Sequence, residues 1–193
     1  MAKFSRKLQK LLTSDRPITL RVITDGFSEK SFAILFLLLL AIPALPLPTG
    51  GITHIFEIIA MLLAIELIAG RKTVWLPKNW VDKKLPKSLQ TSALPRFMKI
   101  IRWVEKYSHP RLVNIQNNKL LSRVVGLVIL LFTVFAFLAP PFSGLDTLPS
   151  LGVVLLSLGM ILDDAILGIV GIVLGAIGVG LVLILGRLAF QLL

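Results

Sequence analysis

The chain has no cysteine, one tyrosine, two histidines and only ten acidic residues among its 193. Without cysteine there are no disulfides, no thiol nucleophile and no Cys-based metal site. The two histidines, His54 and His109, are far apart, and no Gly-rich phosphate loop, no His-Glu-x-x-His and no usable Ser-x-x-Lys is present. Acids are scarcest where a catalytic domain would need them. Residues 71–123 hold just Asp82 and Glu105, whereas a glycosyltransferase needs a polar domain whose acids manage a nucleotide sugar and its metal. The expectation is a protein that is not an enzyme, with no catalytic residue, no metal and no cofactor.

What the chain has instead is oil and positive charge. Hydrophobic residues make up 55% and charged residues 16%, and the mean hydropathy is +0.87, which places it outside the range of soluble domains and among membrane proteins. The charge is partitioned. Seven Lys/Arg lie in residues 1–30, thirteen in residues 71–123, and Arg187 is the one other. Basic blocks flanking apolar ones point to a cytoplasmic face held against anionic lipid. No nucleic-acid module accompanies them, so nucleic acid is not an expected partner. The basic first thirty residues lack the apolar core and small-residue cleavage site of a signal peptide.

The apolar material forms three pieces: Ser31 to Ala69, Val124 to Leu162, and Ala165 to Gly186. Sliding the first over the second by 93 positions sets Pro48 on Pro141, Gly51 on Gly144, Ile52 on Leu145 and Ala64 on Ser157. Each block is an apolar arm, a Pro/Gly break and a second arm, a weak internal repeat. The breaks, with Pro46, Pro48, Gly50 and Gly51 in the first and Pro140, Pro141 and Gly144 in the second, read as hairpin tips, because proline removes a backbone donor and glycine allows reversal. Ser31 to Leu45 would give about 22 Å of helix, and Val124 to Ala139 is similarly short, against a hydrocarbon core of about 30 Å. Re-entrant hairpins fit these arms; shallow complete spans are the alternative. Freed backbone groups at a tip must in either case avoid lipid.

The predicted fold is therefore an all-α integral membrane protein. Two repeated Pro/Gly-broken hairpins, re-entrant and inverted or pseudo-twofold related, are joined by a C-terminal transmembrane helix and basic amphipathic cytoplasmic helices. Its parts are the basic N-terminal helices (1–30), the first hairpin (31–70), the basic linker (71–123), the second hairpin (124–164) and the C-terminal helix (165–193). In the linker, Phe97, Ile100, Ile101 and Val104 recur at helical spacing among Arg96, Lys99, Arg102 and Lys106, with Trp103 at headgroup level. Phe4, Leu8, Leu11 and Leu12 form a similar stripe. In the last helix, glycines 168, 171, 175 and 178 make a close-packing face for another helix of this chain or of a second copy, and a homodimer through that face is one expectation.

Polar residues inside the apolar segments are the candidate site. Thr53, His54 and Glu57 follow the first tip at spacings of three and four, which puts them on neighbouring faces of one helix. An ionisable group there is costly unless paired, and so marks function by default. With Thr49 and Asp146, the repeat's counterpart of Thr53, they form a possible intramembrane polar site for a cation or proton. The competing reading is that Thr53 and Asp146 are helix N-caps and Glu57 merely sits near a positive helix end. Glu66, near Arg71 and Lys72, is read as snorkelling to the cytoplasmic side and pairing there. Asp163 and Asp164 are read as caps of the last helix or as salt-bridge partners of the basic layer.

The stretches "LLLLAIPALPLPTGG", "AIELIAGRKTVWLPKNW", "ITLRVITDGFSEKSFAI" and "LAPPFSGLDTLPSLGVVLLSLGMILDDAILGIVG" together resemble the ExoD family of exopolysaccharide-synthesis membrane proteins over about residues 15–185. The shared elements are a hydrophobic arm, a Pro-x-Pro-x-Gly turn, a second arm, and Gly70-Arg71-Lys72 leading into Trp75-Leu76-Pro77, followed by a second hairpin with an acidic end. Thr53-His54 departs from the family's plainer apolar stretch, so a role for His54 is not inherited. The resemblance implies a part in making or exporting cell-surface polysaccharide, not a reaction. Two functions follow as expectations. One is a carrier of an ion or of a small or lipid-linked solute through a site between the tips; the other is an accessory protein that binds polysaccharide-synthesis enzymes. The expected location is the bacterial inner membrane, multi-pass, with N-terminus and linker cytoplasmic and C-terminus outside.

Overall fold

A computed structural model describes residues 30–45, 52–71, 73–75, 94–107, 119–140 and 143–191. Pro46, Pro48, Thr49, Gly50, Gly51, Pro77, Pro141, Lys72 and the N-terminal stripe lie outside them. Among the described residues all regular structure is helical: α1 (Ser31–Leu40), α2 (Ile52–Ile68), α3 (Leu94–Tyr107), α4 (Lys119–Leu138), α5 (Thr147–Leu162) and α6 (Ala165–Gln191).

α1 is short because Pro43 has no N–H to continue the ladder. The chain carries on as a turn, with the Ala41 N–H donating to Leu37 O at 3.1 Å and the Ala44 N–H to Leu40 O at 2.9 Å. α4 corrects the expected short first arm of the second hairpin. It starts at Lys119 rather than Val124 and runs for 20 residues, about 30 Å, enough to cross the hydrocarbon core. The polar Ser122 and Arg123 had suggested a boundary, but they sit within the first turns of a continuous helix. α6, with 27 residues, is also long and apolar enough to cross.

α1, α2, α4 and α5 form a ring in which α2 and α5 each touch both α1 and α4, while α6 packs along α5 and α4. α1 is almost wholly enclosed, and so is the inner side of α5. The outward faces are apolar: Ile55, Ile58, Leu62 and Ile65 on α2, Val124, Leu127 and Leu131 on α4, and Ile169, Val173, Ile177 and Ile184 on α6 are exposed. A belt this large would be a liability in water and is the expected outer surface in lipid. It accords with α4 and α6, the two helices among the described residues that are long and apolar enough to cross a membrane.

The two hairpins run parallel. His54, just after the first break, touches Phe137, just before the second, so the helix ends beside both breaks lie at one end. At the other end Lys30 pairs with Asp163 at 2.7 Å, and the Arg123 guanidinium lies over Gly70. Of the two expected relations, inverted or pseudo-twofold, this arrangement differs from an inverted pair, whose tips would lie at opposite ends. The second arms also end alike. Gly70 (φ +82) and Asp163 (φ +56) are both left-handed, and the following N–H reaches back in each, Arg71 to Glu66 O at 3.2 Å and Asp164 to Gly159 O at 2.9 Å, closing the last turn as a Schellman-type cap.

The glycine face of α6 is taken by α5 of the same chain. A Cβ at Gly152 would stand 2.5 Å from the Gly175 Cα, one at Gly171 would meet the Gly152 carbonyl oxygen at 2.7 Å, and one at Gly178 would meet Pro149. A second copy would have to meet another face of α6. On α3, Ile101 and Val104 are buried in the same apolar cluster as the bundle core, while Lys99, Arg102, Trp103 and Lys106 are exposed, the amphipathic division expected of an interfacial helix.

Candidate functional site at the tip end

α2 begins at Ile52, so Thr53 is already helical and is not the N-cap, and Glu57 falls in the second turn. Glu57 is fully buried and Thr53 nearly so. The His54 Nδ1 lies 3.4 Å from Glu57 Oε2, beyond the usual hydrogen-bond range. The His54 ring is held against Phe137 of α4, with centroids 5.1 Å apart and planes tilted by 53°.

From the other hairpin, Asp146 lies within electrostatic reach of both Glu57 and His54. Asp146 occupies the N-cap position of α5 but makes no side-chain cap hydrogen bond, so its expected capping role is also not realised. The α5 start is set by the loop instead: the Ser143 hydroxyl donates to Pro140 O at 2.6 Å and accepts the Leu145 N–H at 3.2 Å, and Gly144 takes φ +69. Pro149 fits the first turn of α5, where N–H groups have no helical acceptor.

Among the described residues, the buried side-chain polar atoms without a hydrogen-bond partner are His54 Nδ1, both Glu57 carboxylate oxygens and Ser150 Oγ. Two other buried hydroxyls bond back to their own helices. Thr133 Oγ1 donates to Ile129 O at 2.9 Å and Ser157 Oγ to Val153 O at 2.7 Å. Unmet polar demand is thus concentrated near the tips. A buried carboxylate with no hydrogen bond is expensive, and at 3.4 Å the approach of His54 Nδ1 leaves part of that cost unmet. No three His, Asp or Glu side chains among the described residues cluster as a metal site. Ser150 and Phe137 escaped the sequence reading, although the 93-residue offset does place Ser150 on Glu57.

The residues at the opposite end of the bundle resolve into separate tasks. Glu66 accepts the Trp75 N–H at 2.8 Å instead of bonding to Arg71, whose guanidinium stacks over the exposed Trp75 ring at 5.9 Å. Asp164 caps α6 by accepting the Ile166 N–H at 2.9 Å. Asp163 takes the salt bridge with Lys30, whose ammonium also donates to Ile161 O at 2.6 Å. Both expected uses of the acidic pair are realised, one by each residue.

No solved structure matches the chain. Among curated proteins, it is 27% identical to the uncharacterized protein slr1875 of Synechocystis over 86% of this chain and 79% of that protein. It is 28% identical to Protein ExoD of Rhizobium meliloti over 78% of this chain, and it spans 62% of that protein's length. The sequence model described as "Exopolysaccharide synthesis, ExoD" matches residues 4–184. The match runs through both hairpins and most of α6, and on it the chain belongs to the ExoD family.

Proposed function

We propose that this protein is a carrier in the bacterial inner membrane serving exopolysaccharide synthesis or export, and that the cluster around Glu57 is where it binds what it moves. The observation that carries this reading is a fully buried glutamate, both oxygens unpartnered, beside an unpartnered imidazole nitrogen. Intramembrane ionisable groups of this kind mark ion and proton pathways, and broken helices meeting within the bilayer are a recurrent carrier design. Phe137 lies fourteen residues beyond Arg123 on α4, so a basic residue at the cytoplasmic interface puts the site about 21 Å into the membrane. In this reading the hairpins enter together from the cytoplasmic side as structural duplicates about an axis along the membrane normal, and α6 carries the C-terminus outside. The N-terminus and linker stay inside against anionic lipid.

The accessory reading has its own support in the exposed Trp75 and Trp103 and the cationic surface of α3, which suit docking on a polysaccharide-synthesis enzyme. Exopolysaccharide output in a strain relying on this protein separates the two. Glu57→Gln with His54→Ala should abolish output while charge reversal at Lys99, Arg102 and Lys106 is tolerated; the opposite pattern would favour the accessory role.

A further inference from the structure

Glu57 and Ser150 stand 93 positions apart, the offset at which the two tips align. The same offset relates features at every level of the bundle. It takes the left-handed Gly70 to the left-handed Asp163, and the Arg71-to-Glu66 bond to the Asp164-to-Gly159 bond. It also takes Lys30, which pairs with Asp163, to Arg123, which covers Gly70. Within the bundle it takes the fully buried Phe36 and Ala60 to the fully buried Ile129 and Val153. These coincidences fix the register independently of the low-complexity sequence. Glu57 and Ser150 are both enclosed, at 0% and 1% exposure, and both carry unpartnered side-chain oxygens. α2 and α5 lie diagonally across the four-helix ring, so equivalent inward positions face a common interior at one height.

We propose that Glu57 and Ser150 are the two halves of a single cation site on the axis relating the hairpins, and that its ligand is one monovalent cation bound through oxygen, a sodium ion or a proton. This rests on the carrier reading above. The ligand follows from the donor set. Glu57 supplies one carboxylate where a perfect repeat would supply two, and the second hairpin offers a neutral hydroxyl, so the enclosed site balances a single positive charge. Divalent ions take more carboxylate oxygens than this site encloses. His54 and Asp146, the other titratable groups facing Glu57, flank the site on the tip side, and Asp146 is partly open there, which gives a cation a charged way in.

The test uses the full chain in proteoliposomes, with sodium-22 uptake and a pH-gradient dye as separate arms. Sodium uptake without a pH change identifies sodium; dye response without sodium identifies the proton. Glu57→Ser should abolish the active arm, and the exchanged pair Glu57→Ser with Ser150→Glu should restore uptake, because the carboxylate re-enters the same site from the other hairpin. Ser150→Ala should raise the half-saturating sodium or proton concentration about tenfold, the size of one lost hydrogen bond to a charged group. An exchanged pair that is folded yet as inactive as Glu57→Ser, or a Ser150→Ala protein with wild-type half-saturation, would overturn the shared site. Wild-type uptake abolished by Glu57→Gln would in that case leave the carrier reading standing, whereas no uptake of either ion by wild type removes the inference. Should the exchanged pair fail to fold, the Ser150→Ala saturation curve decides alone.

Discussion

Residue by residue, the two ends of the bundle treat charge in opposite ways. At the Lys30 end each carboxylate among the described residues is given a partner, and the left-handed Asp163 shows the cost of doing so. Its φ of +56 is tolerated by aspartate better than by most residues but still strains a side-chain-bearing residue, and its ion pair with Lys30 helps hold it there. Asp163→Gly should lose the ion pair and relieve the strain, while Asp163→Ala should lose the pair and keep the strain. The alanine protein should therefore be the less stable of the two by about 1 kcal/mol, read as thermal unfolding in detergent; equal melting would show that the backbone at 163 is unstrained. At the tip end Glu57 was legible from sequence because an acid in an apolar helix is rare. Ser150 was not, since a serine among leucines and glycines reads as an ordinary packing residue until its neighbours show whether its hydroxyl is satisfied.

For the helices, the decisive contact is the seam between α5 and α6. The glycine spacing on α6 was readable as a close-packing face, but its partner was not, because the complementary Gly152 and Gly159 are spaced by seven and look like incidental glycines. Gly152→Ala should force the helices apart, since its Cβ would meet backbone at 2.5 Å, and should cost about 1–3 kcal/mol. Gly180→Ala, with nothing within 4 Å, should be neutral or mildly stabilising, as expected for removing a helical glycine. Similar losses at both positions would mean that the seam is not close-packed. The first arm was read through to Leu45, past the end of α1 at Leu40, and the start of α4 was hidden because Lys119 and Arg123 read as linker charge. Those two cations can extend their stems along the helix and keep their charges at the interface, so polar sequence and membrane helix overlap there.

Across the whole molecule, the proposed topology sets the linker and the C-terminus on opposite sides of the membrane. The cysteine-free sequence makes this testable with single cysteines. An impermeant thiol reagent on intact cells should label Leu193→Cys and spare Lys87→Cys, and the reverse pattern would turn the molecule over. The helical class was legible because hydropathy acts over whole segments; which side chains meet, as His54 and Phe137 do, was not, because that depends on segments coming together in three dimensions. The most direct measurement of the account's central claim is ion flux through purified, reconstituted protein, with sodium or a pH gradient as the driving force. Wild type should move one of the two ions and Glu57→Gln, equally well folded and inserted, should reduce the rate to that of empty liposomes; a Glu57→Gln protein that carries the ion as fast as wild type would contradict it.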